Sequence, residues 1–174
     1  MSMKISFLIV LFSFLIFQGF AQEKTKKELK AQRELQKQKE IESLINSRNF
    51  VFDAEKANPL GYRMMILDYN TYTIKVDEAN VVSDLPYFGR GYNIPYGSSD
   101  GGMKFEGKPE NFTIEKVKKR YIIKMIVKGK NDVYNLLFSV FSDGGTSVSI
   151  TSNNRASISY DGNIRAPKTE ENKK

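Results

Sequence analysis

The chain of 174 residues contains no cysteine, no histidine and no tryptophan. The missing histidine and cysteine exclude a Ser-His-Asp triad, a cysteine nucleophile, zinc fingers, cysteine-ligated iron–sulfur clusters and nearly every ordinary transition-metal site. Carboxylate-only chemistry, tyrosine or lysine chemistry and oxygen-ligated calcium survive that filter. Without cysteine there is no disulfide, so an oxidising compartment is permitted but contributes no covalent stability. No P-loop and no dinucleotide fingerprint is present, and Gly89-Arg90-Gly91 lacks the spacing and the helical context of one. No catalytic motif stands out, so the expectation is a protein that is not an enzyme, with no metal and no cofactor.

What is present falls into four stretches, residues 1–21, 22–48, 49–165 and 166–174. Met1 to Ala21 has a cation at Lys4, an apolar run from Ile5 to Phe17 and small residues at Gly19 and Ala21. That is the pattern of a secretory signal peptide cleaved after Ala21. The apolar core is short for a membrane span, which needs roughly 20 residues, so no stable transmembrane segment is expected after cleavage. Removing Lys4 takes the net charge from +7 to +6. Gln22 to Arg48 is rich in strong helix formers and mixed charge, with no glycine or proline. It predicts a helix with a solvated first half and a second half that docks through Ile41, Leu44 and Ile45.

After Asn49 the periodicity changes from helical to alternating. Short β-branched and aromatic segments are separated by turn formers, and the C-terminal half reads as five strands: 112–117, 120–128, 133–141, 147–151 and 157–160. In the second of these Tyr121, Ile123, Met125 and Val127 share a face; in the third Tyr134, Leu136, Phe138 and Val140 do. Face-by-face alternation with tight connections predicts antiparallel strands with one side on a core. The expected fold is mainly β, a single antiparallel sandwich or small barrel of about eight strands behind one charged helix, with a disordered tail from residue 166.

Leu85 to Gly102 packs five glycines, two prolines and four aromatics into eighteen residues, and so predicts an ordered loop. Its Tyr87, Phe88, Arg90, Tyr92 and Tyr96, together with Asn154 and Arg155 in a later turn, are the candidate binding residues. Each has a structural reading beside the functional one: aromatics anchor loops, arginine bonds loop carbonyls, and turn amides bond backbone. Asp100-Gly101-Gly102 and Asp143-Gly144-Gly145 read as tight turns rather than calcium loops. The run Lys116, Lys118, Lys119, Arg120 reads as edge protection at a hairpin. The spread of the positive charge, with no binding module, argues against nucleic acid.

The segments from Ser83 to Arg90, Ser152 to Arg155 and Ile158 to Gly162 resemble the domain of unknown function 4251 family of secreted Bacteroidota proteins. The resemblance covers most of Asn49 to Ile164. It implies kinship and a secreted compartment and brings no biochemical activity with it. The expectation is therefore an exported, periplasmic or extracellular, non-enzymatic binding module for a small ligand, held in a cavity if the sheet closes as a barrel. The alternative is a protein-interaction or inhibitor-type domain that uses the Leu85–Gly102 loop on an envelope partner.

Overall fold

A computed structural model describes residues 26–92 and 101–168. The expected signal peptide, Tyr96, Asp100 and residues 169–174 lie outside the described residues. The chain divides into two units, residues 1–35 and 36–174, and the division falls within a single helix, α1 (Lys26–Asn46). In the first unit the described helical residues, 26–35, all expose their side chains, as a lysine- and glutamate-rich sequence with no apolar stripe requires. No helix among the described residues is long and apolar enough to cross a membrane.

In the second unit α1 continues to Asn46, where Ile41 and Ile45 are buried and Leu44 is half-buried against the core. Two residues past the helix, Arg48 has a φ of 51°, the left-handed conformation that closes many helices. The Arg48 guanidinium then sits 5.1 Å from the centre of the Phe112 ring. Lys116 reaches Glu42 at 3.2 Å, so the basic run expected at an edge gives one of its members to the helix.

Ten strands follow: β1 (Phe50–Pro59), β2 (Met65–Ile66), β3 (Thr73–Val76), β4 (Val81–Leu85), β5 (Met103–Gly107), β6 (Pro109–Val117), β7 (Arg120–Lys128), β8 (Val133–Phe141), β9 (Gly145–Ser152) and β10 (Ile158–Arg165). They form one antiparallel sheet in the order β5-β4-β3-β1-β10-β9-β8-β7-β6, with β2 paired to β1, and the sheet is nearly closed into a barrel. β5 and β6 are its two ends, joined only through Lys108. Across that seam Phe105 of β5 stacks on Tyr134 of β8 with ring centres 4.0 Å apart.

Both free edges are blunted. β5 is five residues long, and β6 carries Pro109, a bulge at Asn111-Phe112 opposite Met125, and Lys116. β1 carries a second bulge at Glu55, next to the point where Gly162 of β10 lies so close to the Asp53 carbonyl that any side chain there would overlap it.

The alternating residues of β7 and β8 face inward as the sequence predicts. They meet Phe50, Phe52, Ile74, Leu85, Met103, Val148, Ile150 and Tyr160, all essentially without solvent contact. Phe138 makes edge-to-face contacts with Phe50 and Phe52 at 5.8 and 6.3 Å. The interior is thus occupied by the protein's own side chains. Large aromatics from β1 and β8 meet there.

Truncating Ile45 removes a fully buried side chain from this core. Ile45→Ala is expected to cost about 2–5 kcal/mol, whereas Leu35→Ala, on an exposed helical position, stays within about 0.5 kcal/mol. Chemical denaturation of both variants checks the division of labour along α1.

Candidate functional site

Leu85 to Tyr92 leaves β4 and lies across one end of the barrel, where the β9–β10 turn comes up to meet it. Gly91 and Arg155 form an isolated antiparallel bridge. The Tyr92 amide donates to the Asn154 carbonyl (2.8 Å), and the Ala156 amide donates to the Arg90 carbonyl (2.9 Å). The Tyr87 hydroxyl lies between the carbonyl oxygens of Arg90 (2.7 Å) and Ala156 (3.1 Å). The Tyr160 hydroxyl, rising from the core, donates to the Pro86 carbonyl at 2.7 Å. Gly89 is required here, because a Cβ at that position would collide with the Tyr87 phenol.

Arg155 holds the other end of the loop. Its guanidinium donates to the carbonyls of Gly101 and Gly102 and stands 5.1 Å from the centre of the Tyr87 ring. Of the candidates, Tyr87, Asn154 and Arg155 are brought together here in a clamp between the loop and the β9–β10 turn. Phe88 is half-buried against the core, and the Asn154 amide donates to the Asn131 carbonyl at 3.1 Å. Arg90 and Tyr92 keep exposed side chains, so of the described candidates these two are available to a partner.

The organising anion of this end is Asp132, which the sequence reading passed over as a turn residue. Its carboxylate accepts from the amides of Val133 (2.8 Å), Asn153 (3.1 Å) and Asn154 (3.3 Å), tying the β7–β8 turn to the β9–β10 turn. Asp143 does the plainer work expected of it, accepting from the Gly145 amide at 3.0 Å in its own turn. Among the described residues no group of three or more carboxylates is placed to hold a metal ion.

A second feature was not legible in advance. Leu60, Tyr62, Met64, Ile66 and Tyr69 are all exposed, Ile66 to 81% and Tyr69 to 78%, and Tyr92 is exposed to 65%. Burial raises the Tyr87 phenol above its ordinary value, and the phenols of Tyr92 on the loop and Tyr62 on the strap add to that rise. Tyr62 to Leu67 carries the aromatic and β-branched residues of a short strand bounded by turn formers. Only Met65–Ile66 pairs, against Ala57 and Lys56, and Ile66 falls on the outward side with Lys56.

The profile of the family described as "Domain of unknown function (DUF4251)" matches residues 32–164. The chain belongs to this family. Among solved structures it is similar to a DUF4251 family protein from Bacteroides eggerthii DSM 20697, with 14% identity, a TM-score of 0.59, and coverage of 75% of this chain and 87% of that one. At that identity the likeness establishes a shared fold. No curated protein matches the chain.

Two tests follow from the clamp. Arg155→Ala removes the two bonds that hold Gly101 and Gly102, and amide exchange at Tyr92 and Ala156 is expected to quicken by roughly tenfold, in line with about 1.4 kcal/mol of lost local stability; unchanged exchange shows that the backbone bridge stands alone. Burial pushes the phenols of Tyr87 and Tyr160 above their ordinary value. The folded state therefore holds these protons more tightly than the unfolded chain does. Their contribution is complete below about pH 10, the ordinary tyrosine value, and is lost as the pH rises beyond it. The melting temperature should fall above about pH 10, and less steeply in Tyr160→Phe.

Proposed function

We propose that this chain is an exported, non-enzymatic binding module that captures a protein partner on the barrel end formed by the Leu60–Tyr69 strap and the loop residues Arg90 and Tyr92. The observation that carries the reading is the strap itself: five large apolar side chains exposed within ten residues, beside a sixth at Tyr92. Exposed apolar residues scattered singly need no explanation, but a contiguous patch of them marks an interaction surface. Tyrosine, methionine and arginine are the types enriched at protein interfaces, and Tyr62, Met64, Arg63 and Arg90 supply them here.

The charge around the patch selects the partner. Arg63, Arg90 and Lys56 are exposed, while Glu55 is engaged by the Asn163 amide at 2.8 Å, leaving Asp68 as the opposing charge on the strap. A protein segment with apolar anchors and a carboxylate rim is the complement. The clamp beneath fixes the loop before binding, so little ordering entropy is lost on association. Export rests on the pattern of residues 1–21, and the absence of histidine and cysteine from the sequence supports a binding rather than a catalytic role.

Tyr62→Ser with Ile66→Lys alters only exposed side chains and should leave the melting temperature within a few degrees. Cross-linking of the mature protein in envelope extract identifies the bound protein, and titration of that protein should show at least about thirtyfold weaker binding to the double variant. Equal affinity for wild type and double variant would remove the strap from the interface and with it this proposal.

A further inference from the structure

The outward side chains of β6, β7, β8 and β9 enclose an open cleft of about 590 Å3. It lies on the opposite face of the sheet from the filled interior. Its floor is apolar, from Ile126 of β7 and Leu137 of β8. Its sides carry two carboxamides, Asn111 and Asn135, and the hydroxyls of Thr113, Ser149 and Thr151. We propose that this cleft binds a short, uncharged glycan bearing acetamido groups.

Charge narrows the ligand first. Lys124, the cation that lines the cleft, is paired with Glu115 at 3.9 Å, and Lys128 farther along β7 with Glu110 at 2.9 Å. A phosphate, a nucleic acid or an anionic sugar finds no surplus positive charge among the residues that line the cleft. The volume falls within the range of small-molecule sites, and the open ends suit a chain that passes through rather than a molecule enclosed.

Hydrogen-bonding capacity narrows it further. Elsewhere on this sheet asparagine amides are already engaged: Asn58 with Asp161 (2.7 Å), Asn80 with Glu106 (2.7 Å), Asn163 with Glu55 (2.8 Å). The side chains of Asn111, Asn135, Thr113, Ser149 and Thr151 make no such bonds among the described residues. A carboxamide both donates and accepts, which is the complement of an acetamido group, and the hydroxyls match sugar hydroxyls. The acetyl methyl has the Ile126 and Leu137 floor to cover.

Backbone geometry adds an independent observation. The β6 bulge sets three residues against two of β7, and Asn111 within it has a φ of 51°. Regular alternation from the outward Glu110 would turn Asn111 toward the barrel; the bulge instead places it on the cleft beside Thr113. Bulges recur where a side chain is re-aimed toward a site, and asparagine is among the few residues that tolerate this backbone. An extended peptide is the weaker occupant, since it gains most from an unpaired strand edge, and β7, β8 and β9 are paired on both sides.

The test uses the full mature chain, isotope-labelled for NMR and titrated with tri-N-acetylchitotriose, with cellotriose as the comparison. Saturable shifts are expected at the side-chain amides of Asn111 and Asn135 and along β7 and β8, with Tyr62 and Tyr92 unmoved. Leu137→Arg should weaken binding at least about tenfold by filling the cleft, and Asn135→Ala about threefold to tenfold for one lost bond, each checked for an unchanged fold by its melting temperature. Shifts that never saturate, shifts confined to other faces, or equal binding of cellotriose would overturn the assignment. If Leu137→Arg fails to fold, unchanged affinity in Asn135→Ala overturns it on its own.

Discussion

Phe138 sets the terms for the rest of the molecule. It stands on β8, between Phe50 and Phe52 of β1, and two other strands separate β8 from β1 along the sheet. Rings that meet at about 6 Å from those positions must meet across the interior, so the barrel is held at a width that its own side chains fill. Aromatic pairs of this kind add to stability beyond the area they bury, and each fixes an orientation as well as a distance. A sheet curled this tightly leaves two openings and a seam, and apolar side chains must cover all three. α1 brings Ile41 and Ile45 to the core, the Leu85–Tyr92 loop lies across the end above Tyr160, and Phe105 on Tyr134 holds the seam.

The loop shows how one stretch answers several constraints together. Its glycines admit the close approach to Tyr87 and to the Arg155 turn, and its carbonyls would be costly to bury without donors. Arg155 supplies donors fixed in a planar fork, and the ring of Tyr87 lies beside them, a combination that lysine does not reproduce. Asp132 gives the opposite sign, gathering backbone amides that point out of two neighbouring turns. The polar residues that looked like ligand-binding candidates are thus mostly committed to joining loops that are distant in sequence.

The parts of this arrangement that depend on local pattern were readable from the residues. β7 and β8 have the predicted boundaries and the predicted inward faces, because period-two alternation between turn residues specifies both. The docking of Ile41, Leu44 and Ile45 was readable for the same reason, and so was the association of the glycine-aromatic loop with the Asn154–Arg155 turn. What escaped depends on partners far along the chain. Nothing around Tyr62 to Leu67 says that β1 has space for only two paired residues there, so its outward side could not be distinguished from a core face. Asp132 looks like any turn aspartate until the β9–β10 turn is beside it. The mainly β antiparallel fold behind one charged helix was readable too, and its ten strands lie close to the expected number of about eight.

A filled barrel also determines where recognition can occur. Beyond the packed inner face the barrel presents an end and an outer wall, and the two differ in chemistry. The strap end is apolar with surplus arginine, a surface whose exposure to water costs free energy that a protein partner recovers by covering it. The cleft on the outer wall is neutral, its Lys124 matched by Glu115, and its hydroxyls and amides are solvated at no such penalty. Water therefore opposes a ligand at the wall more strongly than a partner at the strap, and binding there must come from many aligned polar contacts over a small apolar floor. The bulge at Asn111 supplies one such contact at the expense of ladder regularity on an edge strand, where irregular pairing also protects against unwanted association. One local distortion thus serves both solubility and the shape of the cleft.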